Sequence, residues 1–295
     1  METLRTLLAP DLIRPGSCWT LLHTVDGFGR ATGTSLTTQA RAGRSIRLLE
    51  QAGSRLRVQV LEDGYRCWMD RDALLGRAEQ RGAWRPSLQT AAEIRRRLPA
   101  VLAWSARAEQ QPNHYLWGGT SEPNMDCSGL MQMAFASQGI WIPRDAYQQE
   151  RFCQPVAMAP ASRQLLQPGD LIFFGPPRRC THVGLHLGGG VYRHSSGIEH
   201  GRNGIGVDSL HPSNAHPVAS HYRDQLRGAG RVVRCHDGSH LNSPSPGAPR
   251  LSCCDQQTLR HEHTPGSVCG CAPLQRGGKP APSGGAVAPG ASPQR

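Results

Sequence analysis

Lysine is all but missing from this chain: of its 33 basic residues only Lys279 is not arginine, and Phe, Trp and Tyr together make up 5% of 295 positions. Missing too is any run of the roughly 18 to 20 apolar residues that a membrane-spanning helix needs, so membrane insertion is not expected. Mean hydropathy is −0.46. Residues 1–17 place Glu2, Arg5, Asp11 and Arg14 around a short apolar run and lack the order of a secretory signal. On that reading the protein is expected in the cytoplasm, with the periplasm reached only by another route. A concentrated basic patch is absent as well. The formal charge is +11, yet the arginines are scattered and their longest run is Arg95 to Arg97, which argues against nucleic acid and leaves an anionic peptide or small molecule as partner. Finally, no C-x2-C pair occurs. Cys253, Cys254, Cys269 and Cys271, with His261 and His263, lack the spacing that brings two thiolates to one tetrahedral zinc, so no metal site is expected there. Most of the ten cysteines lie singly and read as reduced thiols.

What is present divides the chain. In residues 1–80 the alternating runs Ser45-Ile-Arg-Leu-Leu and Ser54-Arg-Leu-Arg-Val-Gln-Val-Leu, punctuated by Gly43, Gly53 and Asp63-Gly64, predict a small all-β barrel. Residues 81–100 read as a helical linker. Thr90 and Glu93 have capping-box spacing, and Pro99 is expected to open a second helix running through Val101 to Ala106. Residues 101–235 predict a helix whose first residue is Cys127 and which stops at Gly139, followed by strands at Asp170–Phe174, His182–Leu187 and Val191–His194. The whole is of α+β class. Residues 236–295 hold no Phe, Trp or Tyr and are crowded with Pro and Gly, so they are expected to be a disordered and dispensable tail.

A cysteine in the first turn of a helix faces unsatisfied N–H groups and the positive end of the helix dipole, both of which favour thiolate over thiol. By itself Cys127 reads equally well as a small buried hydrophobe. Downstream, His182 and His194 fall on consecutive strands across Gly188-Gly-Gly190, where two imidazoles can lie side by side, one as base and one as its orienter. Either alone can be a structural histidine. His186, farther along the same strand, is assigned a structural place.

Taken together, Tyr115-Leu-Trp-Gly-Gly119, Asp126-Cys-Ser-Gly-Leu130, Pro168-Gly-Asp-Leu-Ile-Phe-Phe174, Thr181-His-Val-Gly184 and His194-Ser-Ser196 resemble the NlpC-type cysteine peptidases of bacterial cell-wall peptides over roughly residues 100–235. The resemblance implies a papain-like core with Cys127 as nucleophile, His182 as base and His194 as third member, and no metal or organic cofactor. The barrel with Glu62-Asp-Gly-Tyr-Arg-Cys-Trp68 is similar, more weakly, to the bacterial SH3-like domain that precedes this catalytic domain in cyanobacterial members. The implied reaction is hydrolysis of the γ-D-glutamyl–diamino acid bond in peptidoglycan stem peptides carrying a free amino-terminal L-Ala. Asp126 and Tyr65 would then receive the ammonium, with Glu62 or Asp63 as further acids. Tyr115, Trp117 and Ser128 would line the D-glutamyl pocket. Relatives carry a hydroxyl where this chain has Ala146, a loss for which Arg144 is a candidate compensation, although a structural pair of Arg144 with Asp145 or another acid is the stronger expectation. An amine in place of water would make the same site an acyl or amide transferase. A catalytically silent wall binder is the reading from another class, and the intact Cys127, His182 and His194 argue against it.

Overall fold

The computed structural model describes residues 5–81, 84–156 and 165–239. Seven strands precede the first long helix: β1 (Cys18–Leu21), β2 (Val25–Phe28), β3 (Leu36–Ala40), β4 (Ser45–Ala52), β5 (Arg55–Val60), β6 (Arg66–Asp70) and β7 (Ala78–Gln80), with the helical turn α1 (Arg71–Leu74) before the last. They form one antiparallel sheet in the order β3-β2-β6-β5-β4-β1-β7. Alternation drives it: Ile46 and Leu48 on β4, and Leu56 and Val58 on β5, point inward to a core with Trp19, Leu21 and Met69. Gly53, at φ 58°, supplies the positive dihedral that the tight β4–β5 connection requires.

The second half contains α2 (Ala91–Gln110), α3 (Cys127–Ala136), α4 (Ala146–Phe152) and α5 (Pro217–Asp224), with strands β8 (Gln154–Val156), β9 (Leu171–Phe174), β10 (His182–Gly188), β11 (Val191–Ser196), β12 (Gly204–Ser209) and β13 (Leu226–Arg231). The strands are antiparallel in the order β12-β11-β10-β9-β13-β8. Buried from Cys127 through Phe135, α3 is the hydrophobic centre, packed between α2 and the β10–β11 face.

Pro99 opens no second helix. It lies inside α2, which begins at the Thr90–Glu93 capping box and continues to Gln110, so the expected boundary at residue 100 falls within one helix. The apolar face explains this: Ile94, Val101 and Ala108 recur every seven residues against the core, while Pro99 is exposed on the opposite side, where the missing N–H costs least.

The boundary at Cys235 is also corrected. Beyond it His236 donates its backbone N–H to the Trp141 carbonyl at 2.7 Å, and the buried Gln59 amide of β5 donates to the Gly238 carbonyl at 2.8 Å. Gly238, at φ 80°, is held so closely that any Cβ would strike the Leu61 carbonyl and the Trp84 ring. This segment docks through backbone and glycine rather than apolar side chains, which is why composition alone marks it as tail. Ending the chain after Cys235 strips the Gln59 amide of its acceptor and is expected to cost about 1 to 3 kcal/mol. That corresponds to a fall in Tm of roughly 2 to 4 °C per kcal/mol for a domain pair of this size. Thermal unfolding of chains ended at Cys235 and at Ser239 checks it, and equal midpoints would mean the segment holds nothing. The tail cysteines and histidines, and the expectation of disorder beyond Ser239, lie outside the described residues.

Candidate active site

The local sequence sets Cys127 at the first turn of α3. Asp126 is its N-cap, the carboxylate accepting the Gly129 N–H at 2.7 Å, and Gly129 is required because a side chain there would collide with the Gly119 carbonyl. Cys127 is 6% exposed. The helix terminus favours thiolate, but burial works against it. Burial pushes the thiol up to about 12, the Asp126 carboxylate adds to the shift, and the Val183 N–H on the sulfur opposes both.

His182 and His194 meet as their strands suggest, with His182 Nε2 2.7 Å from His194 Nδ1 and the rings nearly perpendicular. Burial, reinforced by His194, holds His182 well below the usual imidazole range, so the ring is neutral near pH 7. His194 in turn places Nε2 2.8 Å from Asp208 Oδ2, and Arg202 donates to that same oxygen at 2.7 Å. Tyr222 of α5 stacks on His182 with centroids 3.9 Å apart. His186 occupies the structural place expected of it: its Nδ1 is 3.0 Å from the Gln167 carbonyl and its Nε2 accepts the Gly190 N–H.

Cys127 lines a cavity of about 390 Å³ together with Thr37 and Tyr65 from the barrel and with Arg179 and Thr181 from the segment before β10. Of the residues expected around a substrate, Tyr65, Tyr115, Trp117, Asp126, Ser128 and Arg144 line it. Trp117 stands 69% exposed at the mouth.

Glu62 and Asp63 are not in this cavity, which corrects their expected role. Glu62 accepts from Arg44 Nε at 3.2 Å and from the Ser45 N–H at 2.7 Å. Asp63 is paired with Arg44 at 2.9 Å and accepts from the Gln132 amide at 2.8 Å, while its other oxygen takes the Tyr65 N–H at 3.0 Å. Buried carboxylates are tolerable only when so paired, and Asp63 serves to shape the turn carrying Tyr65. Arg144 is largely engaged: 1% exposed, it forks onto Asp126 at 2.6 and 3.1 Å, donates to Ser128 Oγ at 2.8 Å and reaches Thr38 Oγ1 from Nε at 3.3 Å. Four of its five N–H groups are thus taken, which leaves one, on the Nη2 that meets Asp126, to replace the hydroxyl absent at Ala146.

A second carboxylate lines the cavity beside Asp126: Asp145, which the sequence suggests only as a partner for Arg144. Burial raises its pKa, opposed by Arg144 and Arg179, and the Tyr147 hydroxyl donates to it. Arg179 is exposed, with its guanidinium 4.2 Å above the Tyr147 ring. Asp208, Arg202 and Tyr222 were missed. A signal for Asp208 existed in Gly204-Ile-Gly-Val-Asp208, whose alternate members point inward on β12.

Residues 112–223 match the NlpC/P60 family and residues 30–74 the bacterial dipeptidyl-peptidase Sh3 domain. The bifunctional muramidase/DL-endopeptidase CwlT of Bacillus subtilis is 33% identical over 136 residues, 45% of this chain and 36% of that protein. Dipeptidyl-peptidase 6 of Lysinibacillus sphaericus is 40% identical over 112 residues, 38% of this chain and 35% of that protein. The chain therefore spans little more than a third of the length of these curated relatives. Among solved structures, the peptidoglycan hydrolase RipB of Mycobacterium tuberculosis is similar at 26% identity with a TM-score of 0.36, over 48% of this chain and 67% of that one.

Proposed function

The chain carries an NlpC/P60 domain behind a bacterial SH3 domain, and from that premise we propose that it is a cysteine endopeptidase hydrolysing the γ-D-glutamyl–diamino acid bond of peptidoglycan stem peptides with a free amino-terminal L-Ala. The observation that carries this reading is one cavity lined by both Cys127 and barrel residue Tyr65. A site closed on one side by a second domain admits the end of a peptide rather than the middle of a polymer. That favours turnover fragments as substrates and recycling as the role, with the cytoplasm as the proposed place of action.

In this mechanism the neutral His182 takes the Cys127 proton as sulfur attacks the γ-carbonyl, so deprotonation and attack are coupled. The backbone N–H of Cys127, unsatisfied at the helix start, and the Tyr115 hydroxyl receive the oxyanion. His182 then returns the proton to the leaving amine of the diamino acid, and water activated by the same imidazole releases the acyl group from sulfur.

Tyr65 and Asp145 meet the substrate ammonium, Asp145 standing in for the two acids withdrawn to Arg44. Asp126, already neutralised by Arg144, holds the α3 terminus in place. Arg179, exposed over Tyr147, is the cation available to a substrate carboxylate. Mass spectrometry of products from L-Ala-γ-D-Glu-diaminopimelate tests the reading: L-Ala-D-Glu and free diaminopimelate are expected, whereas amide adducts formed only with added amines would point to a transferase.

A further inference from the structure

We propose that Asp208 is a positioning residue that sets which nitrogen of His182 is free to act as base, through His194, two rings away from the reacting sulfur. The inference rests on the reading of Cys127 and His182 as nucleophile and base.

The argument is an accounting of protons. Asp208 is 3% exposed, and one of its oxygens, Oδ2, meets both Arg202 at 2.7 Å and His194 Nε2 at 2.8 Å. A carboxylate facing a guanidinium stays ionised and can only accept, so the proton between Asp208 and His194 belongs to Nε2 of His194. A neutral imidazole has a single N–H. His194 Nδ1 therefore presents a lone pair, and the 2.7 Å contact across to His182 Nε2 is a hydrogen bond only if His182 carries its proton on Nε2. What remains is Nδ1 of His182, unprotonated and able to take the thiol proton.

Without an acceptor at Asp208 the same pair of rings is satisfied equally well in reverse. His194 would then donate from Nδ1, His182 would accept at Nε2, and the neutral His182 would hold its proton on Nδ1, where it cannot act as a base toward the thiol. Asp208 removes that degeneracy. After proton transfer, His182 bears N–H on both nitrogens and its bond to His194 persists unchanged, so no proton has to travel to Asp208.

The surroundings are built for this placement. Asp208 points inward from β12, and Gly206, two residues earlier on the same face, has no side chain because the Arg202 guanidinium passes across that position. The other titratable groups near the carboxylate are His216, whose Nδ1 lies 3.8 Å from Oδ1, and the phenols of Tyr192, opposite Asp208 on β11, and Tyr222, which burial and Asp208 hold above the usual phenol range. These leave Oδ2 to Arg202 and His194.

Two substitutions separate tautomer control from mere packing. Asp208→Asn can keep an amide oxygen where Oδ2 lies, accepting from both Arg202 and His194 Nε2, so it should preserve the tautomer while losing the charge that steadies the imidazolium. Its kcat is expected to fall about 10-fold with KM within about 2-fold. Asp208→Ala removes the acceptor and should lower kcat by at least about 10²-fold, again with little change in KM, since a wrongly placed imidazole proton disables a base. The direct readout is the ¹⁵N spectrum of the imidazoles in full-length Cys127→Ala protein, where His182 should be protonated at Nε2, as it should in Cys127→Ala/Asp208→Asn. In Cys127→Ala/Asp208→Ala a population with the proton on Nδ1 should appear. A His182 protonated at Nδ1 with Asp208 present overturns the proposal even if Asp208→Ala fails to fold. So does a loss of kcat in a folded Asp208→Ala variant whose His182 remains wholly Nε2-protonated. Failure of the nucleophile assignment shows separately, as activity surviving Cys127→Ala while the tautomers behave as described.

Discussion

Replacing Cys127 by alanine should reduce turnover by at least about 10⁴-fold while leaving the melting temperature close to that of the unaltered chain, because removing a nucleophile costs on that order and deletes only one sulfur from a well-packed core. Cys127→Ser should be nearly as inert, since a hydroxyl is a weaker acid still than the raised thiol. Burial raises the Cys127 thiol and lowers His182, which disfavours a preformed thiolate–imidazolium pair that could react with electrophiles. Alkylation of Cys127 by iodoacetamide in the free enzyme should accordingly be slow at pH 7 and accelerate as pH rises toward the thiol pKa of about 12. Peptidase activity should follow a different curve. It requires His182 unprotonated, and since burial lowers that pKa, protonation removes activity only below pH 6.5. Rapid alkylation at pH 6 with a flat profile would overturn the neutral-pair mechanism, and residual peptidase activity in Cys127→Ala would overturn the nucleophile.

Acetylating the amino terminus of the substrate should lower kcat/KM by at least about 10²-fold. The acetyl group removes the cation and adds bulk against Tyr65, while Asp145 is left partly desolvated without its partner. A hydrogen bond to a charged group is worth about 1.5 to 3 kcal/mol, and a buried carboxylate left unpaired costs more, so tenfold per 1.4 kcal/mol brings the loss to this size. Asp145→Asn should reproduce most of it for the free-amine peptide while barely altering the poor rate on the acetylated one. Steady-state kinetics on the four enzyme and substrate combinations decides the matter. Equal cleavage of free and acetylated peptide would show that the barrel wall does not select the amine, and an unchanged Asp145→Asn enzyme would return the ammonium to Asp126.

Much of the site is written in local sequence. Asp-Cys-Ser-Gly ahead of an apolar run states an N-cap, a nucleophile position and a close-approach glycine in four letters, and histidines on two adjoining strands state their own proximity. The parts that escaped depend on pairing at a distance. Glu62 and Asp63 look available as acids until the barrel brings Arg44 under both of them, and nothing in their spacing announces a guanidinium 18 residues before Glu62. Asp145 and Arg144 are neighbours in sequence, yet the ion pair runs from Arg144 to Asp126 and leaves Asp145 turned to the cavity. Pro99 shows the opposite failure: a rule about backbone hydrogen bonds was read without regard to which side of the helix faces water.

The docking of Gly238 against Leu61 and Trp84 also bears on how the protein is made. Gln59 and Gly238 are 179 residues apart, so among the described residues their contact is one of the last to become possible as the chain emerges from the ribosome. Closing so long a loop adds only slowly to the entropic cost, but it cannot begin before the second partner has been synthesised. Cys127 and α3 are available for burial well before that moment, and the barrel can already meet the second half through Gln39 and Thr120, Thr38 and Arg144, and Asp63 and Gln132. The Gln59–Gly238 hydrogen bond is therefore expected to lock the two halves after they have met, so that resistance of the barrel to opening rises only once Gly238 has emerged.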